Sequence, residues 1–223
     1  MSEFDVIVKG GTVVTASETM RADVGVKDGR ITALAESLTG SAARVIDATG
    51  RYVMPGGVDS HCHIEQPSST GGKNAETWES GTRSAACGGT TTVIAFSSQE
   101  KGEGVLSQVQ AYHERAKRAC IDYSFHIIVS DPTDEVVQNE LPPLIESGLR
   151  SIKLFMTYPK NRVDDREILR IFEVARRHQA LVCVHAENHD AIMFMTQKLL
   201  DAGLGQTKYH AWCKPPLVER EAV

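Results

Sequence analysis

The chain has 223 residues, and its 24 Lys and Arg against 29 Asp and Glu give a formal net charge of -5. This acidic balance argues against non-specific binding to nucleic acid or to an anionic membrane. No apolar run approaches the roughly 18 residues needed to span a bilayer, and the N-terminus lacks the basic and apolar regions of a signal peptide. Five scattered cysteines without a C-x-x-C pair favour reduced thiols and a cytoplasmic location.

The first 52 residues have the pattern of short strands separated by turns, and we interpret them as a separate domain, 1–52. The stretch "FDVIVKGGTVVT" alternates and is expected to break at Gly10 and Gly11, whereas Asp28 and Gly29 form a strong hairpin signal. The pattern predicts a small antiparallel β element with too few strands to close a sandwich alone.

From residue 53 onward, apolar strand-like runs alternate with helical patterns, which gives about five β-then-α units. The runs are "RYVMPGGVDSHCH", "TTTVIAFSS", "DYSFHIIVS", "SIKLFMT" and "ALVCVHAE". Such alternation predicts a parallel sheet covered by helices, and both a doubly wound sheet and a (β/α)8 barrel fit it. A complete barrel needs about 250 residues, so domain 53–223 is expected to be a truncated barrel from a longer protein.

Four helices are predicted from apolar spacing of i, i+3, i+4 and i+7. The clearest covers 165–178, with Asp164 or Asp165 as its cap, and another is expected to stop at Gly148. The last is expected to follow Asn188 as its cap. The residues that define the four faces are Ile168, Ile171, Phe172 and Ala175; Val105, Val109, Tyr112 and Ala116; Leu141, Leu144 and Ile145; Ile192, Met195 and Leu199.

Two histidines, His61 and His63, flank a cysteine in "VDSHCHIEQP". Residues i and i+2 of a strand point to one face, so both imidazoles and Asp59 could converge on one metal ion, while Cys62 faces the other way. Two polar residues at a strand exit would leave the same short pattern, and the spacing alone does not decide between these interpretations.

Further candidates lie at the ends of later strands. His185 in "LVCVHAEN" ends the fifth strand, at the rim where active sites of such folds collect, and Glu187 could orient a ligand histidine. Lys153 stands in an apolar strand, where a salt-bridged lysine, a Schiff-base lysine and a modified, metal-binding lysine all fit. His126 is interpreted as a core or barrel-lining histidine, and His189 and His210 are weaker candidates.

Taken together, five segments resemble the cyclic amidohydrolases and, within them, the dihydropyrimidinase and hydantoinase family. They are "VMPGGVDSHCHIEQP", "SGTRSAACGGTTTVIAF", "DYSFHIIVSDPT", "SIKLFMTY" and "LVCVHAENHD". Their order and approximate spacing agree with the family over essentially the whole chain.

The resemblance implies an α/β enzyme: an incomplete (β/α)8 barrel of about five units, preceded by half of a small β-sandwich. It implies two divalent metal ions, expected to be zinc, bridged by a carbamate on Lys153. His61 and His63 match ligands of the more buried metal, His185 matches a ligand of the second, and Tyr158 matches a catalytic tyrosine that polarises the scissile amide. A metal-bridging hydroxide would then hydrolyse hydantoins or dihydropyrimidines to N-carbamoyl amino acids.

The resemblance also carries expectations about substrate and assembly. Glu65 stands where dihydroorotases have an arginine, which favours neutral cyclic ureides over acidic substrates, and loop 67–76 with Phe155 and Tyr158 is expected to form the pocket. The full-length protein is expected to be a homotetramer. The family's further metal-binding histidine and its catalytic aspartate would lie beyond Val223, so the chain alone is expected to be inactive. An allantoinase-type enzyme and a non-catalytic dihydropyrimidinase-like scaffold remain alternatives.

Overall fold

The computed structural model of the chain describes residues 2–66, 72 and 74–223. They form two compact units, Met1–Gly56 and Gly57–Val223, each built on its own sheet. The run "RYVMPGGVDSHCH" is not one strand, because Tyr52 and Val53 pair within the first sheet and the second sheet starts at Gly57. The division into domains 1–52 and 53–223 stays a prediction.

The first sheet is mixed, so the expectation of a purely antiparallel element was wrong. Three strands form the order β3-β2-β1 with antiparallel pairing, but β4 and β5 both pair with β1 in parallel. Alternation of side chains reports which residues share a face and carries no information on strand direction. The strands are β1 Phe4–Val14, β2 Thr19–Lys27, β3 Arg30–Ala35, β4 Ala42–Asp47 and β5 Tyr52–Val53.

Gly10 and Gly11 do not end β1, contrary to the sequence interpretation. The strand continues through them, and its register against β2 shifts between Val8 and Gly11. Gly10 has a φ of 71°, a conformation that glycine adopts without steric cost. The pair therefore forms a β-bulge. The predicted hairpin at Asp28 and Gly29 is confirmed, since it joins β2 to β3.

The second unit carries a parallel five-stranded sheet in the order β10-β9-β8-β7-β6. Its strands are β6 Gly57–Cys62, β7 Thr90–Ser98, β8 Asp122–Ile128, β9 Ser151–Phe155 and β10 Leu181–His185. Its helices are α1 Trp78–Cys87, α2 Val105–Ala116, α3 Leu141–Glu146 after a π-helical turn Val136–Glu140, α4 Asp165–His178, α5 His189–Asp201, a 3-10 helix Thr207–Cys213, and α6 Pro216–Ala222.

The strands follow one another in sequence order, which excludes a doubly wound sheet over this part of the chain because that fold reverses its strand order. Side chains on one face of the sheet pack against the helices, and we call this the helix face. It includes Val93, Ala95, Phe125, Ile152 and Leu154. The alternating residues between them form the opposite face, which we call the site face.

The predicted helices are confirmed as α2, α3, α4 and α5. All four residues of the predicted α2 face are buried, and Asp164 rather than Asp165 caps α4, with a reciprocal bond from Glu167. Asn188 caps α5 as expected, and its side chain accepts from the backbone N–H of Ala191. Within the ranges that the structure describes, no helix is both long and apolar enough to cross a membrane.

Candidate metal centre

The exit of β6 places His61 and His63 together on the site face. Their ring centroids are 5.5 Å apart, and both rings rest on Phe96 of β7, at 4.7 and 4.8 Å. The carboxylate of Asp59 accepts from the backbone N–H of His61 at 3.0 Å, next to a register shift between β6 and β7. Cys62 packs into the apolar cluster on the helix face, where burial raises the pKa of its thiol to about 11.

The pKa of His61 is lowered, first by partial burial of its ring and then by the positive charges of His63 and Lys153. A neutral imidazole keeps the lone pair that a metal ligand needs, whereas an imidazolium has none. The environment of His61 therefore favours the form that binds metal.

His63 is oriented by a short chain of polar contacts. Its Nδ1 contacts Oε1 of Gln66, and Nε2 of Gln66 donates to Oγ of Ser98 at 2.6 Å. Because an amide oxygen only accepts hydrogen bonds, Nδ1 of His63 must be the protonated nitrogen. The lone pair of His63 then lies on Nε2. Gln66 fixes the orientation of the ring, as a hydrogen-bond partner of a ligand histidine does in metal sites.

Lys153 lies on the site face of β9, half-buried, with its Nζ 4.8 Å from the Phe155 ring centroid. Burial lowers the pKa of its ammonium, and the neighbouring Cys183 acts in the opposite direction. In the described part of the chain no carboxylate lies within salt-bridge distance of Lys153. The salt-bridged interpretation is thus unsupported, and burial makes the ammonium form less favourable than it is in water.

The end of β10 places His185 against the ring of Phe155, at 5.7 Å, and against Tyr158, at 5.1 Å between centroids. Its Nε2 is 2.6 Å from Oε2 of Glu187, and Lys214 donates to the same oxygen at 2.8 Å. Burial alone would raise the pKa of Glu187, but the bonds from Lys214 and His185 outweigh it and the pKa is lowered. The carboxylate holds Nε2–H, so Nδ1 is the nitrogen left for a ligand.

Tyr158, the predicted catalytic residue, lies in the segment that follows β9. It has a φ of 67°, and its hydroxyl lies 3.3 Å from Nζ of Lys214. A positive φ is uncommon for a bulky residue and often marks a functional turn.

Of the other histidines considered from the sequence, His126 lies beside the His61–His63 pair, since its ring stacks on Phe96 at 4.8 Å between centroids. His126 is buried, as expected, and it bridges strands: Nε2 donates to the Ser60 carbonyl at 2.8 Å, and Ser151 donates to Nδ1 at 2.6 Å. His189 contacts the Thr157 hydroxyl at 3.2 Å. His210 is exposed on the 3-10 helix.

The predicted ligands form two neighbouring groups. His61 and His63 pack on Phe96, whereas Lys153 and His185 lie against Phe155. Besides burial and the charge of His63, the positive charge of Lys153 lowers the pKa of His61 and so couples the two groups. Among the described residues, no three His, Cys, Asp or Glu side chains are close enough together to hold a metal ion. A catalytic zinc normally has three protein ligands, so a centre here requires Lys153 or ligands from outside this set. Sequence reasoning missed Phe96, Gln66 and Lys214, none of which stands in a ligand-like spacing.

Glu65, the residue that argued against an acidic substrate, is engaged away from this cluster. Both its carboxylate oxygens accept from Arg118, at 2.7 and 2.8 Å, and Oε2 also accepts from the backbone N–H of Trp78. The carboxylate therefore ties the β6 exit to α1 and to the end of α2. The predicted pocket loop falls mostly on residues 67–71 and 73, which lie outside the described residues.

Comparison with known proteins identifies the family of the chain. The model of the Amidohydrolase family matches residues 52–217, which is well over half of the chain. The chain belongs to the amidohydrolase family. A D-hydantoinase of Ralstonia pickettii is 44% identical over 220 residues, covering 98% of this amidohydrolase chain and 48% of the relative. A dihydropyrimidinase of Rattus norvegicus is 33% identical, covering 97% and 43%.

A solved structure of D-hydantoinase matches this amidohydrolase with a TM-score of 0.94 and 44% identity, over 98% of this chain and 48% of that one. The chain thus spans about half the length of the curated relatives it matches.

Proposed function

We propose that this chain supplies the first part of a metal-dependent cyclic amidase. The substrates would be neutral cyclic ureides, namely hydantoins or dihydropyrimidines, and the products N-carbamoyl amino acids. The observation that carries the proposal is that His61, His63 and Lys153 lie on one face of the sheet, where burial lowers the pKa of His61 and of Lys153. The names of the relatives, D-hydantoinase and dihydropyrimidinase, point to the same substrate class.

The residues fit a centre of two divalent ions, for which we propose zinc. His61 and His63 would hold one ion, and His185 the other through Nδ1. Lys153 would span both as a carbamate, because a neutral amine adds carbon dioxide and releases one proton to the solvent to give an anion with two oxygens, whereas an ammonium has no lone pair. Bound zinc acts as a Lewis acid and lowers the pKa of water to near 7.

Tyr158 would act on the ring carbonyl. Its hydroxyl donates to the amide oxygen as that oxygen gains negative charge, a contribution of about 3 kcal/mol for one well-placed donor. Phe155 contacts both Lys153, at 4.8 Å, and His185, at 5.7 Å between centroids, and so links the two on this side of the site.

The sequential parallel sheet supports a (β/α)8 barrel in the whole protein, with the first sheet as half of a small sandwich. On this proposal the metal ligands stand at the carboxyl ends of barrel strands, where active sites of such barrels lie. A homotetramer in the cytoplasm is part of the same proposal.

A chimera tests the function, because the chain spans half of its relatives. In it, this chain replaces the matching residues of the Ralstonia pickettii D-hydantoinase. The chimera is expected to bind zinc and to open the ring of hydantoin, as followed by the N-carbamoyl product. Lys153→Met should abolish both properties, and Tyr158→Phe should lower kcat by about 100-fold or more while zinc stays bound.

The matched control is Lys160→Met, since Lys160 follows the same strand but pairs with Glu100 at the surface. It is expected to keep full turnover. Two results would contradict the proposal. One is a folded chimera that binds zinc only when it carries Lys153→Met, and the other is an equal rate of hydantoin hydrolysis with and without that substitution. Labelled bicarbonate gives a second measurement, because a carbamate on Lys153 adds a carbon resonance that Lys153→Met lacks.

A further inference from the structure

Lys214 is a residue that the sequence motifs leave without a role. It follows the 3-10 helix Thr207–Cys213, and its side chain reaches residues that follow strands β9 and β10. Its Nζ donates to Oε2 of Glu187 at 2.8 Å and to the hydroxyl of Tyr158 at 3.3 Å, and it lies 4.9 Å from the Tyr158 ring centroid. One ammonium thereby joins residues that follow β9 and β10.

The direction of these bonds matters for the chemistry. An ammonium has three donors and no acceptor, so the Tyr158 oxygen accepts from Lys214 and the hydroxyl keeps its own hydrogen to donate elsewhere. Glu187 accepts from Lys214 and from His185 Nε2 at one oxygen. This arrangement orients the His185 ring through Nε2 and leaves Nδ1 as the nitrogen that can bind a metal ion.

The Lys214–Glu187 pair differs from the surface pairs of this chain. The exposed side-chain fractions are 22% for Lys214 and 16% for Glu187, against 66% and 68% for the surface pair Lys117–Glu114. Less water means less screening, so the geometry of the pair is better defined than that of a surface pair. The hydrogen bonds to Glu187 and Tyr158 outweigh the effect of burial and raise the pKa of Lys214, which keeps it charged.

We propose that Lys214 is a positioning residue of the amidase centre: it orients the Tyr158 hydroxyl directly and the His185 ring through Glu187. The proposal deepens the function given above and rests on it. Lys214 touches neither the metal ligands nor the reacting bond, so its effect is transmitted through the two residues that it holds.

The test compares three variants of the full 223-residue chain by nuclear magnetic resonance without metal. The probes are the labelled ring carbon that bears the Tyr158 hydroxyl, identified by its loss in Tyr158→Phe, and the side-chain nitrogens of His185. Lys214→Met is expected to shift both sets of signals, and Lys214→Arg, which restores a cationic donor, should return them toward the wild-type positions. Lys208→Met is the matched control, because Lys208 is exposed on the same 3-10 helix and stacks on Tyr209.

Zinc titration of the same variants in the chimera with Ralstonia pickettii D-hydantoinase gives a second readout. Loss of an outer partner of a ligand weakens metal binding by about 10-fold to 100-fold, and because Lys214 acts on His185 through Glu187 we expect a loss near the lower end, about 10-fold, in Lys214→Met alone. Unshifted Tyr158 and His185 signals in Lys214→Met, or no recovery in Lys214→Arg, would overturn the positioning role. Equal zinc affinity of the Lys214→Met chimera and the chimera without substitutions would also overturn it. A chimera without substitutions that binds no zinc counts instead against the proposed function, while the resonance shifts still decide whether Lys214 holds Tyr158.

Discussion

Burial shifts the pKa values of the ionisable residues around His61 in opposite directions, depending on whether the charged form is a cation or an anion. Loss of water disfavours a charged form. It therefore lowers the pKa of His61 and of Lys153, which favours neutral donors, and raises the pKa of Cys62 to about 11, which suppresses its thiolate. Cys62 is thus a packing residue, whereas His61 and His63 on either side of it lie on the site face.

Asp23 shows how a single carboxylate stabilises the first unit. It is buried, and it accepts from the backbone N–H of Gly10 at 2.8 Å and of Leu38 at 2.9 Å. The bonds from Leu38 and Gly10 hold its pKa below 3.8. A lowered pKa means that the stabilisation is present above the unfolded value and is lost as pH falls through the folded value.

We expect Asp23→Asn to reduce the free energy of unfolding at pH 7 by roughly 1–2 kcal/mol, because an amide can accept only one of the two bonds. The difference from the wild-type chain should begin to shrink as the pH falls below about 4, where the unfolded chain takes up the proton, and should vanish only below the lowered pKa of the folded carboxylate. Urea unfolding at pH 7 and pH 3 measures both effects. Glu36→Gln, an exposed change in the same unit, is the control, and an Asp23→Asn deficit that grows at acid pH would show this account to be wrong.

At the scale of elements, the spacing of apolar residues and the capping residues predicted the helices well, because both are local properties of the sequence. The buried positions of α2 and α4 recur at 3–4 residue intervals, as the sequence shows. The direction of β4 and the bulge at Gly10 escaped prediction, since both depend on which strand lies alongside. The split of "RYVMPGG" between two sheets escaped for the same reason.

The N-terminus of α4 makes a direct test of capping. Asp164 accepts from the backbone N–H of Glu167, and the Glu167 side chain accepts from the backbone N–H of Asp164, both at 2.8 Å. Asp164→Ala should lower the free energy of unfolding by about 1 kcal/mol, as measured in urea. Asp165→Ala, one residue into the helix, keeps the cap and should cost clearly less; equal losses would mean that charge rather than capping accounts for the effect.

At the scale of the whole molecule, the parallel sheet is what brings the candidate ligands together. Three strands deliver His61, Lys153 and His185 to one face, where the rings of Phe96 and Phe155 contact them. Metal binding should then be linked to folding, because a site assembled from distant segments does not exist in the unfolded chain.

We therefore expect zinc to raise the thermal midpoint of the 223-residue chain. At a free zinc concentration 100 times the dissociation constant, the stabilisation is about 2.7 kcal/mol. His61→Ala should remove most of this gain, and His210→Ala, which alters an exposed histidine outside the site, should retain it. Scanning calorimetry with and without zinc makes the comparison, and an equal gain in the two variants would argue against His61 as a ligand.

The sequence by itself determined the periodic elements, the alternation that turns Cys62 away from His61 and His63, and a resemblance that the family comparison confirms. These follow from local spacing and from the order of segments along the chain. Only the tertiary structure decided that Glu65 is bound by Arg118, that Gln66 orients His63, and that Lys214 reaches Glu187 and Tyr158. Side-chain partners far apart in sequence are set by how sheets and helices pack, and packing leaves no fixed spacing in the chain.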